Sequence, residues 1–220
     1  MKRSPLYLVS FAIVISIVSL SSRLYSQKFE GTVEFALTTD ERTVPMTYMI
    51  KGDNIRVEME GRPGMKAIIL VDAKEGKSTM IMDAMKMFMD LPVPQSRDSG
   101  TASFSFKKSG KTQKLLGYDC EEYLFTDAKT EASVWITKAL GSLGRFGMGS
   151  GRPGNNAEAW QEAVKSAGGF PLLTVVKNEG KNETTIKATK IEKKSLDEAL
   201  FKIPEGYQKM DPSMMRRPRQ

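Results

Sequence analysis

Between Phe29 and Met89 apolar side chains recur at every second position, and a chain with that period has few options besides a β-meander. Val33, Phe35 and Leu37 alternate with Thr32, Glu34 and Ala36, the pattern of a half-buried strand. Met46 to Lys51 and Ile55 to Met59 form a second pair around Gly52-Asp53-Asn54, residues that tolerate left-handed backbone. In the latter strand Ile55, Val57 and Met59 face one way and Arg56, Glu58 and Glu60 the other. Ala67 to Val71 is a continuous apolar run turned by Asp72 to Lys77. Thr79 to Asp90 carries Met80, Met82, Met85, Met87 and Met89, with Asp83-Ala84 dividing it into two short strands.

The pattern continues downstream with interruptions. Leu91 to Ser99 holds two prolines and reads as an irregular connection. After Phe104 and Phe106, the lysine-rich stretch Lys107 to Lys114 reads as a polar turn. Leu116 to Thr137 reads as a hairpin looping at Asp127 to Thr130, with the lone Cys120 on one arm and Trp135 on the other. The adjacent Tyr123, Leu124 and Phe125 imply that both faces of the first arm are covered. Six glycines between Gly141 and Gly154 make a loop, a candidate lid. Asn156 to Ala167 then has an N-cap at Asn155, Glu158 three residues on, and Trp160, Ala163, Val164 and Ala167 on one face, so it reads as the main helix. Leu172 to Val176 and Thr184 to Ile191 read as closing strands, and Ser195 to Phe201 as one helical turn. The expected class is α+β: a curved antiparallel sheet, a half-barrel, wrapping one main helix.

The N-terminus bounds where such a chain works. Lys2 and Arg3 precede an apolar run from Leu6 to Leu20 and a serine-containing stretch ending Leu24-Tyr25-Ser26, the layout of a cleavable secretory leader over residues 1–26. Fifteen helical residues reach about 22 Å, short of the roughly 30 Å hydrocarbon core, which favours a leader over an anchor. A periplasmic or secreted single domain over 27–210 is expected, followed by a basic tail over 211–220. Loss of Lys2, Arg3 and Arg23 with the leader, which has no acids, lowers the net charge from +7 to +4. Arg216, Arg217 and Arg219 supply most of the remainder, so the body is near neutral and unsuited to nucleic acid. The tail is a candidate contact for an anionic membrane surface.

Chemistry is constrained mainly by what is missing. The sequence has no histidine, which removes Ser-His-Asp and Cys-His catalysis and His-ligated zinc. Glu121 and Glu122 are adjacent on a strand and point to opposite faces, so they cannot act as a pair. Ser109-Gly110-Lys111-Thr112 resembles part of a phosphate loop, but Ser105 stands where the motif needs glycine and no helix follows. Gly149 to Gly154 spells G-x-G-x-x-G without the strand that should precede it. No catalytic residue, cofactor or resident metal is expected, and the protein reads as a non-enzyme. The methionine stripe has two readings: an adaptable apolar lining, or thioether ligands for soft copper. The first is preferred, with Met80, Met82, Met85, Met87, Met89, Trp135 and Trp160 as lining and a lipid or lipoprotein acyl chain as ligand. A structural or interaction module without a small ligand is the remaining alternative.

Several short motifs occur in order: Tyr48-Met-Ile-Lys-Gly-Asp-Asn-Ile-Arg56, Gly117-Tyr-Asp-Cys-Glu-Glu-Tyr123 with Trp135, Gly169-Phe-Pro-Leu172, and Ile191 to Tyr207. Together they resemble the bacterial secreted domain-of-unknown-function 4412 family, over roughly Phe29 to Met210. That family is similar in fold to the periplasmic lipoprotein-localisation carriers (LolA/LolB-like). The resemblance implies an incomplete barrel around a helix with an apolar cavity, and it carries no catalytic residues.

Overall fold

The computed structural model describes residues 29–39, 42–60, 66–91, 105–128, 130–141, 164, 166–178 and 183–210. Twelve strands form one sheet: β1 (Glu30–Thr38), β2 (Thr43–Lys51), β3 (Asn54–Glu60), β4 (Lys66–Asp72), β5 (Lys77–Met82), β6 (Met87–Leu91), β7 (Ser105–Leu115), β8 (Tyr118–Thr126), β9 (Thr130–Thr137), β10 (Phe170–Asn178), β11 (Thr184–Lys193) and β12 (Gln208–Lys209). Their order is β12-β6-β5-β4-β3-β2-β1-β11-β10-β9-β8-β7, so the sheet is open, with β7 at one edge. Every pairing is antiparallel except that of β12 with β6.

The expected α+β class is corrected here. Strands take 68% of the described residues and helical turns 8%, and no helix among them reaches seven residues, so what the structure describes is a nearly all-β curved sheet. The helix read at Asn156 to Ala167 falls largely outside the described residues; Val164, Ser166 and Ala167 are described, and they are helical. An amphipathic period states which side chains share a face, but helices gain most of their stability from tertiary packing. The leader, the glycine-rich loop beyond Gly141 and the basic tail also lie outside the described residues.

A second correction concerns Lys107 to Lys114, which is strand rather than turn. At a sheet edge lysine is tolerated because one side of the strand meets water, and it discourages pairing with another chain. The strand bulges where its register jumps between Lys108 and Thr112.

The core forms where both halves of the sheet meet. Val33 and Phe35 on β1, Tyr48 on β2, Val57 on β3 and Phe170 and Leu172 on β10 are buried in one cluster. Phe35 lies edge-on to Tyr48 at 5.1 Å and stacks with Phe170 at 6.4 Å between ring centroids. Pairs of this kind add about 0.5–1.5 kcal/mol beyond area burial. On β8, Cys120 and Glu122 are buried from one side and Tyr123 and Phe125 from the other, so both faces of that arm are covered as expected.

From β11 the chain crosses the back of β2 to β6 and docks on the edge of β6. Lys51 Nζ donates to the Leu196 carbonyl at 2.8 Å, and Arg56 Nη1 to that of Leu200 at 3.0 Å. A 3-10 turn at Glu198–Phe201, capped by Asp197 through the Ala199 N–H, lies along this path. Tyr207 donates to Asp83 and packs over Ile68, Leu70 and Ile81. The amides of Gln208 and Met210 then donate to the carbonyls of Lys86 and Phe88.

Gly31 sits where this arrangement is tightest. Its φ is +152°, and an added Cβ would overlap the Glu192 carbonyl oxygen of the neighbouring strand. Gly31→Ala should therefore destabilise the protein by about 2 kcal/mol or more. Gly206→Ala, in open space at a left-handed turn with φ +80°, should cost about 1 kcal/mol. Urea denaturation midpoints of both variants check the ranking.

Candidate functional site

Strand register assembles the methionines more broadly than their spacing alone conveys. Directly opposed residues in a sheet present their side chains on the same face. One row therefore runs Phe35, Met46, Met59, Ala67, Met82, Met87 across β1 to β6. The next runs Val33, Tyr48, Val57, Ile69, Met80, Met89. A third runs Gly31, Ile50, Ile55, Val71, Ser78, Leu91. No charged side chain enters these rows.

Burial falls along each row. Phe35 and Met46 are 2% and 5% exposed, whereas Met59, Ala67, Met82 and Met87 are only half-buried. Val33, Tyr48, Val57 and Ile69 are buried, and Met80 and Met89 half-buried. The core face thus runs without a chemical break into an accessible apolar shelf on β5 and β6. Methionine suits this position because its unbranched thioether chain adapts to irregular partners.

Of the expected lining residues, Met80, Met82, Met87 and Met89 come together on this face. Met85 does not: it occupies the 3-10 turn Asp83–Met85 between the two strands and is 55% exposed. Trp135 is on β9, seven strands away from β5 in the sheet order, where it packs against the far margin of the core. Trp160 lies outside the described residues. Met46 and Met59 share this face although the sequence reading did not include them, because their place follows from pairing between strands. Their signal in the sequence was the same alternation that defined β2 and β3.

A surface dent bounded by Asn54, Glu198, Phe201 and Lys202 lies where the C-terminal segment crosses the back, away from the shelf, and its lining is mainly polar. Cys120 is 1% exposed and burial pushes its thiol up, the opposite of what a nucleophile needs. Among the described residues no group of three or more His, Cys, Asp or Glu is placed to hold a metal ion.

Glu122, one of the two adjacent acids of β8, is buried. Its side chain is 8% exposed, and it accepts from Ser133 Oγ at 2.6 Å and Ser109 Oγ at 2.7 Å, with Lys111 Nζ at 3.8 Å. Ser109 and Lys111 belong to the β7 bulge, so the stretch that mimics a phosphate loop folds over a carboxylate instead. Burial opposes charge on Glu122, but the two serine hydroxyls and Lys111 outweigh it and hold the carboxyl below its ordinary range. Glu121 is separate, on the opposite face, paired with Lys108 at 2.8 Å. Glu122→Gln should cost about 1–3 kcal/mol at neutral pH. Because the folded-state value is depressed, this contribution is complete above the unfolded carboxylate range and fades as pH falls through the folded value. The stability gap between wild type and Glu122→Gln, followed by urea denaturation across that range, should close on acidification. A gap independent of pH would mean that charge has no part in it.

Comparison with known proteins adds the following. No curated protein matches the chain. Among solved structures it is similar to PNGF-II, with a TM-score of 0.50 and 16% identity over 83% of this chain and 31% of that one. The chain thus spans about a third of that protein's length, and at this identity the likeness concerns fold alone. A chain of the Pseudomonas aeruginosa MucA/MucB complex gives a TM-score of 0.46 and 12% identity, over 80% of this chain and 56% of that one, too distant to carry an argument. The domain-of-unknown-function family DUF4412 matches residues 29–207, and the chain belongs to that family.

Proposed function

We propose that this protein is a non-enzymatic envelope protein that holds an apolar ligand, a lipid or lipoprotein acyl chain, against the methionine shelf of its sheet. The observation that carries the reading is the fall in burial along the two rows that stay apolar from the core to Met87 and Met89. Continuous exposed apolar surface is costly in water and marks binding sites. Each methylene buried there contributes about 0.8 kcal/mol, so ten would supply roughly 8 kcal/mol before the cost of ordering the chain. Affinity of that size requires no polar chemistry at the shelf.

Placement in the periplasm or outside the cell rests on the leader pattern of residues 1–26. Among the described residues, no helix is long and apolar enough to cross a membrane. The reading as a non-enzyme rests on the absence of histidine from the sequence, the inert Cys120 and the opposed Glu121 and Glu122. Arg216, Arg217 and Arg219 remain a candidate contact for anionic lipid, outside the described residues.

Native mass spectrometry of protein purified from bacterial envelopes should show a co-purified lipid. A fluorescent fatty acid should bind wild type and the Met85→Lys variant equally and the Met80→Lys variant at least tenfold more weakly, with circular dichroism as the control for folding. Wild-type protein that takes up no acyl ligand, or equal affinity in all three forms, would exclude the reading.

A further inference from the structure

We propose that the tip of the β7–β8 hairpin is a docking point for an anionic lipid surface, where Leu116 enters the headgroup layer and the surrounding lysines meet its charge. The site is separate from the methionine shelf, since β7 and β8 lie at the other edge of the sheet from β5 and β6.

The turn is built from an unfavourable residue. Leu115 pairs with Tyr118, which leaves Leu116 and Gly117 as a two-residue turn. Both have positive φ, +50° and +85°, as a type I′ hairpin requires. The first of these positions ordinarily takes Asn, Asp or Gly, because left-handed backbone crowds the Cβ of other residues. Leu116 accepts that crowding and is still 45% exposed, so neither the turn nor the core accounts for a leucine there. A single exposed leucine is ordinary on a protein surface; one held in a conformation that disfavours it is not. Leu115 and Tyr118 on either side pack against the main core cluster, so Leu116 is presented from a fixed base.

The charge around the tip is positive in excess. Lys107, Lys108, Lys111 and Lys114 on β7 and Lys138 after β9 are all exposed. Against them stand Asp119, 3.6 Å from Lys114, and Glu121, 2.8 Å from Lys108. Glu122, which Lys111 approaches, is buried and accepts from Ser109 and Ser133, so its charge is turned inward. An apolar tip among lysines matches the border between headgroups and acyl chains. Leucine gains a dry contact there, and lysine stems lie along it while their ammonium groups stay with the phosphates. A strand of another protein is the poorer occupant, because lysines on an edge strand oppose pairing. Attraction per lysine is modest and screened by salt, which makes the docking transient.

Protein purified from bacterial envelopes is sedimented with vesicles of phosphatidylglycerol and phosphatidylcholine in equal parts, and with phosphatidylcholine vesicles alone. Wild type should bind the mixed vesicles in preference, less so as salt rises. Leu116→Asn and Lys111→Gln/Lys114→Gln should each bind about fivefold more weakly. The loss from Leu116→Asn should persist when Arg216→Gln, Arg217→Gln and Arg219→Gln neutralise the tail. A lipid spin-labelled at its headgroup should broaden the Leu116 methyl resonances of wild type. Because Asn-Gly suits the turn, Leu116→Asn should unfold in urea at or above the wild-type midpoint. Its affinity for a fluorescent fatty acid should equal that of wild type, which keeps this site apart from the shelf. The proposal is overturned by an absence of binding to the mixed vesicles, which would leave the tip to a protein partner, or by binding indifferent to Leu116→Asn. A lowered urea midpoint would assign the leucine to the fold, and a matching loss of fatty-acid affinity would assign it to the acyl site; either overturns the proposal as well.

Discussion

The whole sheet depends on one seam, the pairing of β1 with β11. Strand β1 lies between β2 and β11, so the first meander reaches the second half of the sheet only through it. Partners across the seam are remote in sequence: Thr32 meets Glu192, 160 residues later. Closing a loop of that length costs roughly 4–5 kcal/mol of chain entropy. Opposing it are three apolar pairs: Val33 with Ile191, Phe35 with Ala188, and Leu37 with Ile186. A fully buried aliphatic or aromatic side chain contributes about 1.5–3 kcal/mol, so the pairs together exceed the closure cost. Gly31 is the point where the two backbones leave no room for a side chain, and the seam also absorbs a register shift between Glu34 and Phe35.

With the seam closed, the C-terminal segment has a fixed course behind the first meander. Glu30 next to the seam accepts from the Leu196 amide at 2.8 Å, and that hydrogen bond, with the nearby Lys51 charge, holds its carboxyl below the ordinary range despite opposing desolvation. Lys51 and Arg56 then take the carbonyls of the passing chain, and Lys209 pairs with Asp90 at 2.6 Å. The back of β4 to β6 is thereby covered by Tyr207 and its neighbours, whereas the methionine face of β5 and β6 stays half-buried. The proposed acyl binding rests on this asymmetry between two faces of the same strands.

Much of the first meander was legible in the sequence because a period of two states which side chains share a face. The Gly52-Asp53 turn, the split at Asp83-Ala84, and the placement of Met80 and Met82 on one strand with Met87 and Met89 on the next all follow from it. Register between strands does not follow, which is why Met46 and Met59 were not joined to the stripe and why Met85 and Trp135 were grouped with it although the structure places them apart. The lysines of β7 pointed to a turn because an edge strand and a polar loop have the same composition. Glu122 was hidden for a related reason: its burial depends on a bulge contributed by a different strand and on Ser133 across the sheet. The amphipathic period at Asn156 to Ala167 lies mostly outside the described residues, and among the residues that are described strand far outweighs helix, which is why the α+β class drawn from it is corrected.

The central claim is that the face of β5 and β6 is an accessible, adaptable apolar surface continuous with the core. The most direct measurement is a methionine-methyl NMR spectrum titrated with a single-chain lipid kept below its micelle concentration. The resonances of Met80, Met82, Met87 and Met89 should shift together and saturably, while the exposed Met85 resonance stays in place. Shifts at Met85 alone, or no shift at any of the four as lipid is added, would contradict the account.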